Sequence, residues 1–440
     1  MRKTIASILL FLFLPIQASS FSDIENSWYQ SSIIQLKNDG IVNGFDDGNF
    51  HPNNNITRAE ILAIILNSSK TEIKENIGGS CFPDLQKDWW YIKYICHAHK
   101  NDITHGYSDG TFRPNGNVSV LEVLALTMKT FDIEVPEIKT WEQWYDRYIE
   151  FAHENKIIPK NAYTINTQAK RGQATQIITR IQSLQQGQVL NYNSLGCTSP
   201  QDLQDTNFLS INNKSRSYLL SLPKNYDASK PYPLVIGLHG RTNSNTMVRD
   251  YMWLWGGKWE KNSSNEVITA YPAWLWSGPY TWHEAESIDF IDAMLSEVSS
   301  SLCIDKSQVH IVWHSLGAYF SNKLSCLRWD VIATMTAVAW GWYKSECNWP
   351  VASLILHNKA DNLVPYSDGQ NALKIRKEIN TCTWAAENIN ISGLNCQIWN
   401  QCSNWNPVAF CAEYSTYWNT PHSRPIQWAK WIYKFIDIVK

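Results

Sequence analysis

The chain has 440 residues, 44% hydrophobic and 18% charged, which is enough apolar material for packed cores and excludes disorder over most of its length. Lys and Arg total 38 against 40 Asp and Glu, a formal net charge of −2, so there is no electrostatic case for nucleic acid or an anionic membrane as partner. At about 100–200 residues per domain, the length predicts two to four domains. Ten Cys and 22 Trp are the unusual counts.

The first element is a targeting signal. Arg2 and Lys3 precede an apolar run over 5–15, and Ala18, Ser19 and Ser20 follow. This pattern predicts a secretory signal peptide over 1–20. The run is too short for a comfortable membrane span, and no later apolar stretch reaches about 18 residues. The exported chain is therefore expected to lack a membrane span. Export also favours disulfides among the ten Cys, and the absence of any CxxC spacing argues against a zinc site.

A repeat follows. Residues 21–70 contain Phe21-Ser22-Asp23, Trp28, Gly44-Phe45-Asp46-Asp47-Gly48-Asn49-Phe50-His51-Pro52 and Ile56-Thr57-Arg58-Ala59-Glu60. Residues 81–132 repeat the pattern with Phe82-Pro83-Asp84, Trp89, Gly106-Tyr107-Ser108-Asp109-Gly110-Thr111-Phe112-Arg113-Pro114 and Val118-Ser119. The offset is 61 at the first Asp and 62 at the Asp-Gly glycine, which marks a repeat unit. Each unit reads as a helix, a Gly-rich turn and a second helix. Thr57 and Glu60 have the spacing of a capping box. A degenerate third copy spans 138–187, with Trp141, Trp144 and Lys170-Arg171-Gly172-Gln173. Cys81 and Cys96 are the only cysteines of this half and are expected to pair.

These motifs resemble the S-layer homology domain, usually found in threes. The resemblance implies an all-α module that docks on anionic secondary cell-wall polysaccharide at the cell surface. In that family the Arg of the ITRAE motif binds the acidic ligand. That role maps here to Arg58 and Arg171, whose guanidinium fork suits a sugar carboxylate. The second copy reads Ser119-Val120-Leu121-Glu122, so its Arg is missing.

Residues 188–214 are rich in Gln, Asn, Ser and Gly and read as a linker, with Cys197 assigned to the domain beyond it. From 215 to 440 the pattern alternates. Strand-like runs at 217–222, 234–238, 267–270, 309–313, 333–339 and 353–356 are interspersed with helical patterns at 284–302, 316–327, 368–378 and 425–438. That order predicts an α/β domain with a mostly parallel sheet and helices on both faces.

One strand runs into Trp313-His314-Ser315-Leu316-Gly317-Ala318, and a helix follows. A Ser on a sharp strand-to-helix turn exposes its Oγ, and the Gly two residues on lets the helix pack close. The backbone N–H of Leu316 is placed to donate to an oxyanion, and the Leu238-His239-Gly240-Arg241 turn to supply the second donor, at Arg241. Asp361 follows a later strand, and His422 precedes the C-terminal helix. The order Ser315, Asp361, His422 is that of an α/β-hydrolase triad. His239 reads as a buttress of the oxyanion loop, His314 as an orienting or packing residue, and His357 as packing beside the acid strand. Trp313 departs from the pattern, because the elbow normally has a small residue there. A large ring demands a local rearrangement or reduces activity.

Across 215–440 the chain resembles secreted polyhydroxybutyrate depolymerases and feruloyl or acetylxylan esterases. The carrying residues are Arg216-Ser217-Tyr218, Pro231-Tyr232-Pro233-Leu234-Val235, Ala270-Tyr271-Pro272, Trp282, Asp289-Phe290-Ile291 and Ile304-Asp305. The resemblance implies carboxylic-ester hydrolysis through an acyl-serine, with no metal or cofactor. Alternatives are a degenerate hydrolase serving as a surface binding protein, for which Trp313 speaks, and a serine peptidase on the same fold. Seventeen of the 22 Trp follow residue 250. Trp274, Trp276 and Trp282 lie in a loop after a strand, where such folds line their crevice, and are candidates for substrate contact. Trp428 and Trp431 have helical spacing and read as core. Eight Cys in or beside this half allow 105 pairings, with 382/396 and 402/411 the easiest closures.

Overall fold

A computed structural model describes the chain except residues 1–20, 26, 75–79, 87, 138–142, 160–166, 241–243, 253–265, 274–283, 316, 329, 340–349, 384, 403–405, 414–427 and 440. The signal-peptide reading thus lies outside the described residues. No described helix is long and apolar enough to cross a membrane.

Among the described residues, six helices form the N-terminal module: α1 (Gln30–Asn38), α2 (Arg58–Ser68), α3 (Ile92–Lys100), α4 (Val120–Thr130), α5 (Asp146–Glu154) and α6 (Arg171–Gln185). They fall two to a repeat, the degenerate copy included. Thr57 caps α2 and Ser119 caps α4, each in a full capping box with Glu60 or Glu122. The turns agree in detail. The Asp23 carboxylate accepts the N–H groups of Phe50 and His51 at 2.8 and 2.6 Å, and Asp84 those of Phe112 and Arg113 at 2.9 and 2.7 Å. Gly48 and Gly110 both stand at φ 80°, a region that only Gly enters freely. Short antiparallel bridges join Thr57 to Asn117, Ser119 to Gln168 and Asn55 to Lys170. Each repeat therefore bonds to both others and the ring closes.

The described residues of the C-terminal domain form one ten-stranded sheet. Its strands are β1 (Thr206–Ile211), β2 (Lys214–Ser221), β3 (Tyr232–Leu238), β4 (Ile268–Pro272), β5 (Ile304–His314), β6 (Thr334–Val338), β7 (Ala352–Asn358), β8 (Glu387–Ile391), β9 (Leu394–Trp399) and β10 (Val408–Glu413). Their order is β1-β2-β4-β3-β5-β6-β7-β10-β9-β8. The central run from β4 to β10 is parallel, and both outer pairs are antiparallel. Helices α7 (Asn245–Met252), α8 (Glu284–Ser301), α9 (Gly317–Leu327), α10 (Tyr366–Ile379) and α11 (Trp428–Val439) complete it. Two apolar clusters flank the sheet, one with Phe290, Trp313 and Phe320, the other with Val312, Trp431 and Phe435. The buried central strands are continuous apolar runs, as a sheet covered on both faces requires.

Three expectations need correction. The stretch 188–214 is not a free spacer. It contains β1, and Ser194 exchanges hydrogen bonds with Leu302 and Ile304, while Cys197 is disulfide-bonded to Cys303. Polar composition concealed it, because its order comes from partners over 100 residues away. The closures 382/396 and 402/411 are not formed. Cys382 bonds Cys402 and Cys396 bonds Cys411. The antiparallel register, with Phe410 opposite Gln397, brings Cys411 opposite Cys396. Strands β1 and β8 to β10 lie outside the apolar runs of the sequence; β8 is mostly exposed and β9 buries alternate residues, so neither forms a continuous apolar run. The expected Cys81–Cys96 bond is present.

Candidate functional site

Because β3, β4, β5, β6, β7 and β10 run parallel, their C-terminal ends share one edge of the sheet. The His239-Gly240 turn leaves β3 there, Ser315 leaves β5, and the Asp361 loop leaves β7. The segment carrying His422 begins nine residues earlier, where β10 ends at Glu413. Such an edge is where open parallel sheets place ligands.

Ser315 stands between β5 and α9 with φ 58°, a left-handed conformation unfavourable for a residue with a Cβ. Its N–H is held by the carbonyl of Val338 at 3.0 Å, and its side chain is half-buried. A Cβ added at Gly317 would stand 2.8 Å from the carbonyl oxygen of His239, so α9 begins in close contact with the β3 turn. Only Gly permits that approach.

Trp313 does not disturb this turn. Its ring is fully buried in the core cluster that also holds Leu238 and Phe320, and its strand pairs regularly with Leu238 and Ala337. The ring lies in the core beneath β5 and not in the elbow. The indole Nε1 makes no hydrogen bond among the described residues.

The Asp361 side chain is fully covered. Its Oδ1 accepts the N–H groups of Leu363 and Val364, both at 2.9 Å. These two bonds aim the other oxygen, which lies 3.9 Å from His357 Nε2. His357 itself is buried, with Nε2 at 3.1 Å from the Val364 carbonyl, and Gly369 packs against its ring. His314 is buried. His239 is buried too, and burial, with the Arg216 charge adding, pulls its pKa below the ordinary imidazole value. His422, Leu316, Arg241, Trp274, Trp276 and Trp282 lie outside the described residues.

Arg216 was quoted in the sequence only as part of a resemblance. It is 3% exposed at the β2 end nearest this edge, where Nη2 donates to Ala273 at 3.1 Å and the guanidinium lies 4.2 Å from the Phe290 ring centroid. Its Nε and Nη1 have no partner among the described residues, and burial brings its pKa down to about 10. A buried cation thus adds positive potential beside the β3 turn. Its surplus of donors is visible only in three dimensions.

In the ring, Arg58 and Arg171 occupy equivalent clefts between repeats. Arg58 Nε donates to the Phe112 carbonyl at 3.0 Å and Nη1 pairs with Glu122; its guanidinium lies 4.7 Å from the Tyr107 centroid and 4.6 Å from that of Phe112. Arg171 Nε donates to the Phe50 carbonyl at 3.1 Å and Nη1 to Glu60 at 2.9 Å, between Phe45 and Phe50. Burial pulls the Arg171 pKa down. In both, Nη2 makes no hydrogen bond among the described residues. Val120 takes the equivalent position in the second repeat and is fully buried.

The S-layer homology domain model matches residues 20–62 and 82–119. A probable feruloyl esterase C of Aspergillus niger is 32% identical over 159 residues, 35% of this chain and 58% of that protein. A surface-layer 125 kDa protein of Lysinibacillus sphaericus is 26% identical over 161 residues, 35% of this chain and 13% of that protein. The chain spans less than two thirds of the length of the curated esterase relatives it matches. Among solved structures, an acetyl xylan esterase from Aspergillus awamori aligns with 53% of this chain and 99% of its own, at 13% identity and a TM-score of 0.40. An S-layer homology module followed by a domain similar to feruloyl esterases is thus what the chain carries.

Proposed function

We propose that this chain is a serine esterase held at the cell surface by its repeat module, hydrolysing feruloyl or acetyl esters of polysaccharide or the esters of a polyester. The observation that carries the reading is Ser315, kept in a left-handed elbow on the sheet edge it shares with the Asp361 loop. An alcohol is a weak nucleophile, so the reading requires His422 to take the Oγ proton as Ser315 attacks the ester carbonyl. Asp361, oriented by two backbone N–H groups, fixes the imidazole tautomer and stabilises the imidazolium. The N–H groups of Leu316 and Arg241 stabilise the tetrahedral oxyanion, a contribution of a few kcal/mol to the barrier. The alcohol leaves with the proton from His422, and water then releases the acyl group by the same steps in reverse. Trp274, Trp276 and Trp282 supply ring faces for the sugar or aromatic acyl group.

Wall attachment rests on Arg58 and Arg171. Each guanidinium is pre-oriented by a carbonyl, a carboxylate and two rings, which leaves Nη2 for an acidic sugar. Turnover of p-nitrophenyl acetate and methyl ferulate, compared with the Ser315→Ala variant, tests the enzyme. Absence of any Ser315-dependent turnover on short acyl and feruloyl esters would sink it.

A further inference from the structure

We infer that His357 is a positioning residue for Asp361: through the Val364 carbonyl it fixes the loop whose N–H groups orient that carboxylate, and so sets the direction in which the acid meets the catalytic imidazole. The inference rests on the esterase reading above, in which Asp361 is the triad acid.

His357 is the penultimate residue of β7 and pairs with Ala412 of β10, inside the parallel part of the sheet. Its side chain and that of Asp361 are both fully covered. A polar ring in such a place costs free energy unless its N–H finds an acceptor. Nε2 lies 3.1 Å from the Val364 carbonyl. A carbonyl only accepts, so this bond puts the proton on Nε2 and makes the ring the donor.

Val364 is thereby held at both of its backbone polar groups. Its carbonyl accepts from His357, and its N–H donates to Asp361 Oδ1 at 2.9 Å. The Leu363 N–H donates to the same oxygen, also at 2.9 Å. The other oxygen, Oδ2, lies 3.9 Å from His357 Nε2. That is beyond a hydrogen bond, but in a covered site a donor dipole at this distance still attracts the carboxylate. One N–H group thus acts on both ends of the same short loop.

The orientation of the ring is itself imposed. A Cβ added at Gly369 of α10 would stand 2.4 Å from His357 Nδ1 and 2.7 Å from Cγ, so the helix passes against the ring only because this position is glycine. Tyr366 meets the ring edge-on, with centroids 6.0 Å apart, and packs in turn on Phe410 at 6.1 Å. At the foot of the loop, Asn358 Oδ1 accepts the Ala360 N–H at 2.9 Å and the Asn358 carbonyl accepts the Asp361 N–H at 3.1 Å. The turn from β7 to α10 is braced by its own backbone, by the helix and by His357.

Packing alone does not account for a histidine here. Phenylalanine would fill the same space, and it would take the donor from the carbonyl of Val364, a residue 5% exposed. The loop needs a flat ring that carries one fixed N–H.

The test uses the full chain and p-nitrophenyl acetate. His357→Phe is expected to lower kcat by about ten-fold or more, with KM within about two-fold of wild type. His357→Gln, whose amide nitrogen can take the place of Nε2, is expected to return kcat to within about three-fold of wild type. The acid limb of kcat/KM should move to lower pH in His357→Phe, because a loosened Asp361 stabilises the His422 imidazolium less. In an Asp361→Asn background, His357→Phe should cost less than about two-fold more. Should His357→Phe not fold, His357→Asn, too short to reach the Val364 carbonyl, replaces it in every comparison. An unchanged kcat, an unmoved acid limb, or the full ten-fold loss repeated in the Asp361→Asn background would each overturn the inference. A wild type with no Ser315-dependent turnover would sink the esterase reading instead. The bond network is then judged by chemical-denaturation midpoints, where the losses of His357→Phe and Asp361→Asn are expected to be non-additive and additive losses would overturn it.

Discussion

Gly317 and His239 meet so closely that a methyl group on the glycine would lie 2.8 Å from the histidine's carbonyl oxygen. The contact joins the start of α9 to the turn after β3, the two places from which the proposed oxyanion donors come. That atom is backbone and cannot swing aside. Gly317→Ala is expected to cost about 1–3 kcal/mol and to lower kcat more than it raises KM. Thermal unfolding with steady-state kinetics checks it, and an unchanged kcat would separate this contact from catalysis.

Ser315→Ala is expected to lower turnover by about 10⁴-fold or more while the circular dichroism spectrum and Tm stay near wild type. The elbow conformation is held by the Val338 carbonyl and by helix packing, neither of which needs the hydroxyl.

Trp313→Gly restores the usual small residue and distinguishes an active enzyme from a degenerate one. The ring fills core space, so its removal is expected to destabilise the domain by about 3–5 kcal/mol and to give no gain in activity. A rise in kcat would mean that Trp313 suppresses catalysis.

Arg58→Lys keeps the charge and loses the planar fork that contacts Phe112 and Glu122 together. Wall retention in a pull-down is expected to fall by about ten-fold, with turnover of a soluble ester unchanged. Equal wall binding by Arg58→Lys and wild type would remove Arg58 from the anchor.

Lys306 carries a pH dependence. Burial brings its pKa down to about 7 from the ordinary 10.5. Between those values the unfolded chain binds more protons, so this group's stabilisation is complete above the unfolded pKa and is lost as pH falls to 7. The stability of the wild type relative to Lys306→Met should therefore rise steadily from pH 7 to 10. A flat difference in chemical-denaturation midpoints over that window would contradict it.

Local chemistry was legible in the chain. The Asp-Gly turns and the Thr57/Glu60 capping box depend on neighbours within a few residues, and the structure has them as read. Trp313 and the cysteine pairing of the C-terminal domain were not legible, for one shared reason. Whether a ring obstructs a turn depends on which face of β5 it takes and what lies beneath it. Whether Cys396 meets Cys411 depends on the register of β9 against β10.

By itself the sequence determined the two-part organisation, the repeat, the parallel α/β class and the chain order of Ser315, Asp361 and His422, since each is written in periodicity or spacing. Tertiary structure alone decided the shared edge of β5 and β7, the inward turn of Trp313, the guanidinium clefts between repeats and the contact of Lys306 with Trp28. Those rest on contacts between residues tens to hundreds of positions apart, which no local pattern encodes.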